Sequence, residues 1–192
     1  MKEVLISIQP YWVFLIIARK MGWHIDKEKT IEVRKNFPKD QDWNRSVEIY
    51  CSKDKKSFSQ IPKKYQPLMK KFLGKVIGEF VCDRIICSQA YFDERGKNHL
   101  TNVFEKDIKR TCLTAYDLWD YIAGKAVKAN QMYDGYLWHI SDLKIYDKPK
   151  ELSEFWTVKC TNKRNSCIGC EVKPNCIKTI TRPPQSWCYV EG

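Results

Sequence analysis

The sequence has no apolar run long enough to cross a bilayer. Its longest, Tyr11 to Ala18, falls well short of the roughly 20 residues a spanning helix needs, so no membrane partner is expected. That run follows Gln9-Pro10 and has no small-residue cleavage site after it, so a secretory leader is not expected either. Internal repeats are absent. Histidine is scarce, and His24 and His99 fall in expected loops without partners at ligand spacing, which argues against a histidine-rich metal centre. Acidic side chains are scarce where lysine is dense. Between Lys53 and Lys75 eight lysines face Asp54 alone, and between Lys159 and Arg182 six basic residues face only Glu171. These two stretches carry all of the +11 formal charge, and such a patchy surplus suits an anionic partner.

What is present suits one folded domain with a small appendage. Hydrophobic residues make up 43% of the 192, enough for a real core and too many for an intrinsically disordered chain. Val4 to Ile8 reads as a strand, and Pro10 suits the first turn of a helix that carries Trp12, Val13, Ile16 and Ile17 at helical spacing. Lys29 to Lys35 alternates, with Ile31 and Val33 on one face and Thr30, Glu32 and Arg34 on the other. A strand follows at Val47 to Ser52. The lysine-rich stretch to Gly74 contains Pro62 and Pro67 and reads as a loop with short helices at most.

Strand character returns at Lys75 to Ser88, where Gly78 marks a bulge or a close approach of backbones. Thr114 caps a helix through Ala123 with Leu118, Tyr121 and Ile122 as its apolar side, and Gly124 ends it. Tyr136 to Tyr146 and a short segment near Ser186 to Val190 read as strands. The expected fold class is α+β, a mixed sheet or barrel flanked by helices. Residues 1–156 form the main domain, and 157–192 form a Cys-rich basic tail that returns to it.

Glu32 and Arg34 sit two residues apart on one strand face, where they can pair while the guanidinium reaches a phosphate or base. Strict alternation puts Lys29 on the opposite face, so it needs a twist or bulge to join them. Leu5-Ile6-Ser7-Ile8-Gln9-Pro10, a helix, and then Lys29-Thr30-Ile31-Glu32-Val33-Arg34 resemble the ASCH (activating-signal-cointegrator homology) family, whose signature is G-x-K-x-x-E-x-R. Gly135-Tyr136-Leu137-Trp138-His139-Ile140 resembles the family's late strand, and Pro183-Pro184-Gln185-Ser186-Trp187-Cys188-Tyr189 resembles the tails of bacterial and phage members. The signature's glycine falls on Lys27.

This resemblance implies a PUA-like β-barrel that binds RNA or a modified nucleoside in a cleft lined by Lys29, Glu32 and Arg34. Glu79 is a candidate to add a carboxylate there, and Trp187, with Gln185 near it, is a candidate ligand-binding pair whose aromatic plane can stack a base. Some superfamily members hydrolyse acylated cytidine or RNA, and the amidohydrolase type places Thr where Glu32 stands here. A hydrolase would then need Glu32 as general base on water and Lys29 or Arg34 at the oxyanion. The two cations would weaken that base. A third reading, from another class, is a phage or host interaction protein with a vestigial cleft. His139, beside Trp138, reads as a packing residue.

Nine cysteines without a leader point to the cytoplasm, where thiols stay reduced or bind metal. Cys167-x-x-Cys170-x5-Cys176, with Cys160 upstream, has the spacing of a four-thiolate site. Zinc is the expected cofactor and an iron–sulfur cluster the alternative. Cys188 is a substitute fourth ligand, and Cys51, Cys82, Cys87 and Cys112 read as small core residues.

Overall fold

The first strand runs where the sequence puts it: β1 is Glu3–Ile8, and α1, Pro10–Ile17, starts on its proline. The computed structural model describes residues 3–38, 44–124, 128, 131–158 and 177–191. Among these, eleven strands and five α-helices make an α+β fold. The chain divides into two compact units. One comprises Met1–Phe14, Ser46–Glu79 and Lys144–Gly192; the other comprises Leu15–Arg45 and Phe80–Leu143.

A five-stranded sheet takes β1, β3 (Arg45–Cys51), β4 (Val76–Cys82), β8 (Ser141–Lys150) and β11 (Trp187–Val190) in the order β11-β1-β3-β4-β8. β1 runs parallel to β3, with Ile6 opposite Ile49, and antiparallel to β11, with Leu5 opposite Cys188. Leu5, Tyr50, Val76, Phe155, Ile180 and Val190 pack as the core of the first unit. β9 (Trp156–Val158) and β10 (Ile177–Thr179) form a separate antiparallel pair. The described end of the 157–192 tail thus enters the main sheet as β11.

The second unit is built on an antiparallel sheet in the order β2-β7-β5-β6, from Ile31–Arg34, Tyr133–His139, Ile85–Phe92 and Asn98–Leu100. Against it lie α4 (Glu105–Thr111) and α5 (Ala115–Ala123). Thr114 and Asp117 form a reciprocal capping box at the start of α5, an arrangement in which the cap alone is worth about 1 kcal/mol. Leu118, Trp119 and Ile122 of α5 pack on Ile31, Val33 and Leu137. Trp119 takes the inward position expected for Tyr121, which is 41% exposed, and its indole N–H donates to Tyr91 O at 3.2 Å.

Both sheets are open in their strand order, so the expected barrel does not close among the described residues. Two expected long strands are interrupted. Asp83 and Arg84 separate β4 from β5, and Ile140 separates β7 from β8. Helix α4 and strands β6, β9 and β10 have no counterpart in the periodicity of the sequence.

Candidate nucleic-acid interface

Lys29, Glu32 and Arg34 do converge. Glu32 Oε1 lies 3.0 Å from Arg34 Nη2, and Glu32 Oε2 lies 3.3 Å from Lys29 Nζ. The third member joins because the regular strand begins only at Ile31. Lys29 and Thr30 are held by other segments, Lys29 N–H donating to Leu15 O and Thr30 N–H to Arg110 O. Alternation therefore does not govern where the Lys29 side chain goes.

Its ammonium also donates to Ile31 O at 2.8 Å and to Thr111 O at 3.0 Å. Two of its three N–H groups thus go to main-chain carbonyls, while Glu32 Oε2 neutralises its charge as an ion-pair partner. The residues are 3%, 6% and 7% exposed, so the cluster is a buried ion triad turned inward on protein acceptors. Burial pushes the Lys29 ammonium below its usual range, with the Glu32 carboxylate working in the opposite direction. A hydrolytic role for Glu32 would require one of its oxygens to leave a buried cation.

His139 is more than a packing residue. Its Nδ1 lies 2.5 Å from Asp83 Oδ1, and its Nε2 is bonded by Arg110 Nη2. A guanidinium only donates, so Nε2 is the accepting nitrogen and Nδ1–H faces the carboxylate. Arg110 Nε also donates to Thr30 Oγ1 at 2.8 Å, which ties the array to the residue beside Lys29. Burial alone would raise the Asp83 carboxyl, but the hydrogen bond from His139, with a backbone hydrogen bond and the charge of Arg84 adding to it, leaves its pKa lowered. The array is partly exposed through Asp83 and resembles a base held by an acid. Its basic nitrogen, however, is covered by Arg110. The partners lie 56 and 29 residues away in sequence, and no local spacing signals them.

The lysine stretch in the first unit is more ordered than a bare loop. It contains α2 (Lys55–Ser59), a 3-10 turn (Lys63–Tyr65) and α3 (Gln66–Lys70). Asp54, its one acid, caps α2 by accepting from Ser57 N at 2.6 Å. Tyr11 N–H donates to Ser57 Oγ, Phe14 packs on Tyr65, and Ile61, Met69 and Phe72 are buried. Lys53, Lys55, Lys56, Lys63, Lys64, Lys70 and Lys71 are all exposed, and none pairs with a carboxylate among the described residues. Only Lys75, at the end of the stretch, is taken up, by Glu151.

A second buried carboxyl escaped the sequence reading. Glu48, on β3, is 2% exposed, and the Tyr146 hydroxyl on β8 lies 2.8 and 2.9 Å from its two oxygens. Burial pushes its pKa up from the usual 4.5 to about 7, against the Tyr146 hydrogen bond and the charge of Lys150, while Glu3 and Glu79 add to the rise. Folded Glu48 therefore holds its proton more tightly than it does in the unfolded chain. Its contribution to stability is complete below about pH 4.5 and is lost as pH rises towards 7. Urea unfolding is expected to show stability falling by up to about 3 kcal/mol across that window, and Glu48→Gln should flatten the decline. Glu79 belongs to the same sheet and takes Ser46 Oγ and Lys144 Nζ as partners at 2.9 and 3.0 Å, so it does not complete the Lys29 cluster.

Trp187 lies on β11 beside Ile6 and meets Tyr189 edge to face, and Gln185 is exposed just before it. Both belong to the first unit, whereas the ion triad belongs to the second. Cys160, Cys167, Cys170 and Cys176 lie outside the described residues, and no group of metal-binding side chains occurs among those described. Cys51 and Cys82 are buried as expected, and burial pushes both thiols up to about 12. Cys87 is exposed on the outer face of β5, and Cys112 is half-buried at the end of α4, so neither is a core residue. No helix among the described residues is long and apolar enough to cross a membrane. Compared with models of protein families, with curated proteins and with solved structures, the chain matches none.

Proposed function

We propose that this chain binds nucleic acid, RNA first, through phosphate contacts made by the lysine face of residues 53–71. The observation that carries the reading is the seven exposed lysines on or beside these short, anchored helical turns, with no carboxylate partner among the described residues. Solvated surface lysines commonly sit opposite acids. Here the one acid in the stretch is committed to a helix cap, which leaves the positive field uncancelled.

The resemblance to the ASCH family points the same way, and the PUA-like assignment belongs to this proposal. In it the Lys29–Glu32–Arg34 triad, with a net charge of +1, braces the edge strand β2 and biases the local potential. It does not spend its donors on the ligand. Zinc or an iron–sulfur cluster in the tail would be structural on this reading.

Binding that works by displacing counterions has a steep salt dependence, about −0.7 in log K per log salt for each single-strand phosphate neutralised. Titration of a single-stranded RNA 20-mer over a range of KCl concentrations is expected to give a slope of about −3 to −5. Lys55→Gln, Lys56→Gln, Lys63→Gln and Lys64→Gln together should reduce that slope by about 3. A slope near zero in the parent protein, or one unmoved by the fourfold change, would contradict the proposal. The same titration with DNA of identical sequence reads the preference between the two polymers.

A further inference from the structure

A cleft of 590 Å³ opens in the first unit where the end of β3, the turn at Gly74 and residues 151–153 and 180–183 meet. The turn is fixed by Gly74 N–H donating to Cys51 O at 2.7 Å and Cys51 N–H donating to Lys75 O at 2.9 Å. Gly74 has φ +77°, a conformation that side chains disfavour, and a Cβ there would lie 2.1 Å from Lys53 Cε. The Lys53 stem therefore lies across bare backbone, which delivers its ammonium to the cleft wall.

The charges in this cleft are unequal. Its one acid, Glu151, is taken by Lys75, whereas Lys53 has no carboxylate partner among the described residues. Ser52 lines the same wall, and its hydroxyl oxygen is buried without a hydrogen-bond partner among the described residues. A buried hydroxyl left unmatched costs stability unless a water or ligand atom completes it. Thr181 adds a further hydroxyl, and Leu152 and Pro183 add apolar lining. The volume falls in the usual small-molecule range of about 300–1,000 Å³. A bare phosphate would leave most of it empty and gain nothing from the apolar lining.

We infer that this cleft binds a nucleoside monophosphate, free or as the terminal nucleotide of an RNA, with its phosphate at Lys53 and Ser52 and its base against Leu152 and Pro183. The identity of the ligand rests on the nucleic-acid reading above; the cleft and its unmatched cation do not. Lysine supplies a point charge suited to a phosphate dianion, and a terminal phosphate carries more charge than an internal diester.

The experiment compares the four 5′-ribonucleoside monophosphates with hexauridylates bearing a phosphate at the 5′ end, at the 3′ end, or at neither. Affinities are measured by calorimetry on the full chain and on Lys53→Met, which keeps the apolar stem. Amide shifts of the parent protein are recorded alongside. The expected result is binding of at least one phosphate-bearing ligand, weakened tenfold or more by Lys53→Met, with shifts at Ser52, Gly74 and Thr181.

Binding of the free monophosphates identifies a nucleotide ligand. Binding of only the end-phosphorylated oligomers identifies a chain terminus. If all three oligomers bind equally and Lys53→Met changes nothing, the cleft assignment is overturned while RNA binding by the lysine face stands. Monophosphate binding without any oligomer binding keeps the cleft and overturns the proposed function. No binding of any ligand overturns both.

Discussion

Glu32→Ala is expected to destabilise the protein by about 3–5 kcal/mol, because it leaves two buried cations without their anion. Lys29 and Arg34 are each less than a tenth exposed, and neither can turn to water without dismantling β2 or its contacts with α4. Urea unfolding at neutral pH measures this directly. Replacing all three residues together, Lys29→Met, Glu32→Leu and Arg34→Met, should cost far less than the single change and need not destabilise at all, because no unpaired charge remains. The triple variant also separates structure from recognition. Retained RNA affinity assigns the triad to bracing the fold; lost affinity with intact stability would return it to the binding surface.

Gly78→Ala is expected to cost about 3 kcal/mol or more, the upper end of overpacking effects. A Cβ at Gly78 would stand 2.1 Å from Lys144 O and 3.0 Å from Ile145 Cα, both backbone atoms of β8 that cannot rotate aside. Gly135→Ala offers the contrast. There the nearest atom is Ile122 Cδ1 at 2.4 Å, a side-chain terminus that can change rotamer, so the loss should be smaller. Thermal melts of the two variants side by side test the difference. Because β8 carries Tyr146 onto Glu48, Gly78→Ala should also weaken the pH dependence expected of the parent protein. A variant as stable as the parent would show that β4 and β8 separate at little cost.

Local chemistry made several features legible. Pro10, the Thr114 cap and the glycine at 78 announce themselves because each acts through its own backbone or its nearest neighbours. The pairing of Glu32 with Arg34 follows from a period of two. The position of Lys29 does not, because it depends on Leu15 O and Thr111 O, contacts that span the unit. Burial of Glu48 was equally hidden: its cover, Tyr146, lies 98 residues downstream. His139 looked solitary for the same reason, with Asp83 on one nitrogen and Arg110 on the other. Cys87 failed in the opposite sense, since an apolar neighbourhood in sequence says nothing about which face of β5 a residue takes.

The placement of β1 between β3 and β11 has a consequence for synthesis. Residues 187–190 pair with residues 3–6, so one side of β1 waits until the stretch through residue 190 has been translated. At about 5–20 residues per second this interval is on the order of ten to forty seconds. Throughout it, Val4, Leu5 and Ile6 offer an open, apolar ribbon to any neighbouring nascent chain. Crowded ribosomes are thus the setting in which this protein is most exposed to mispairing.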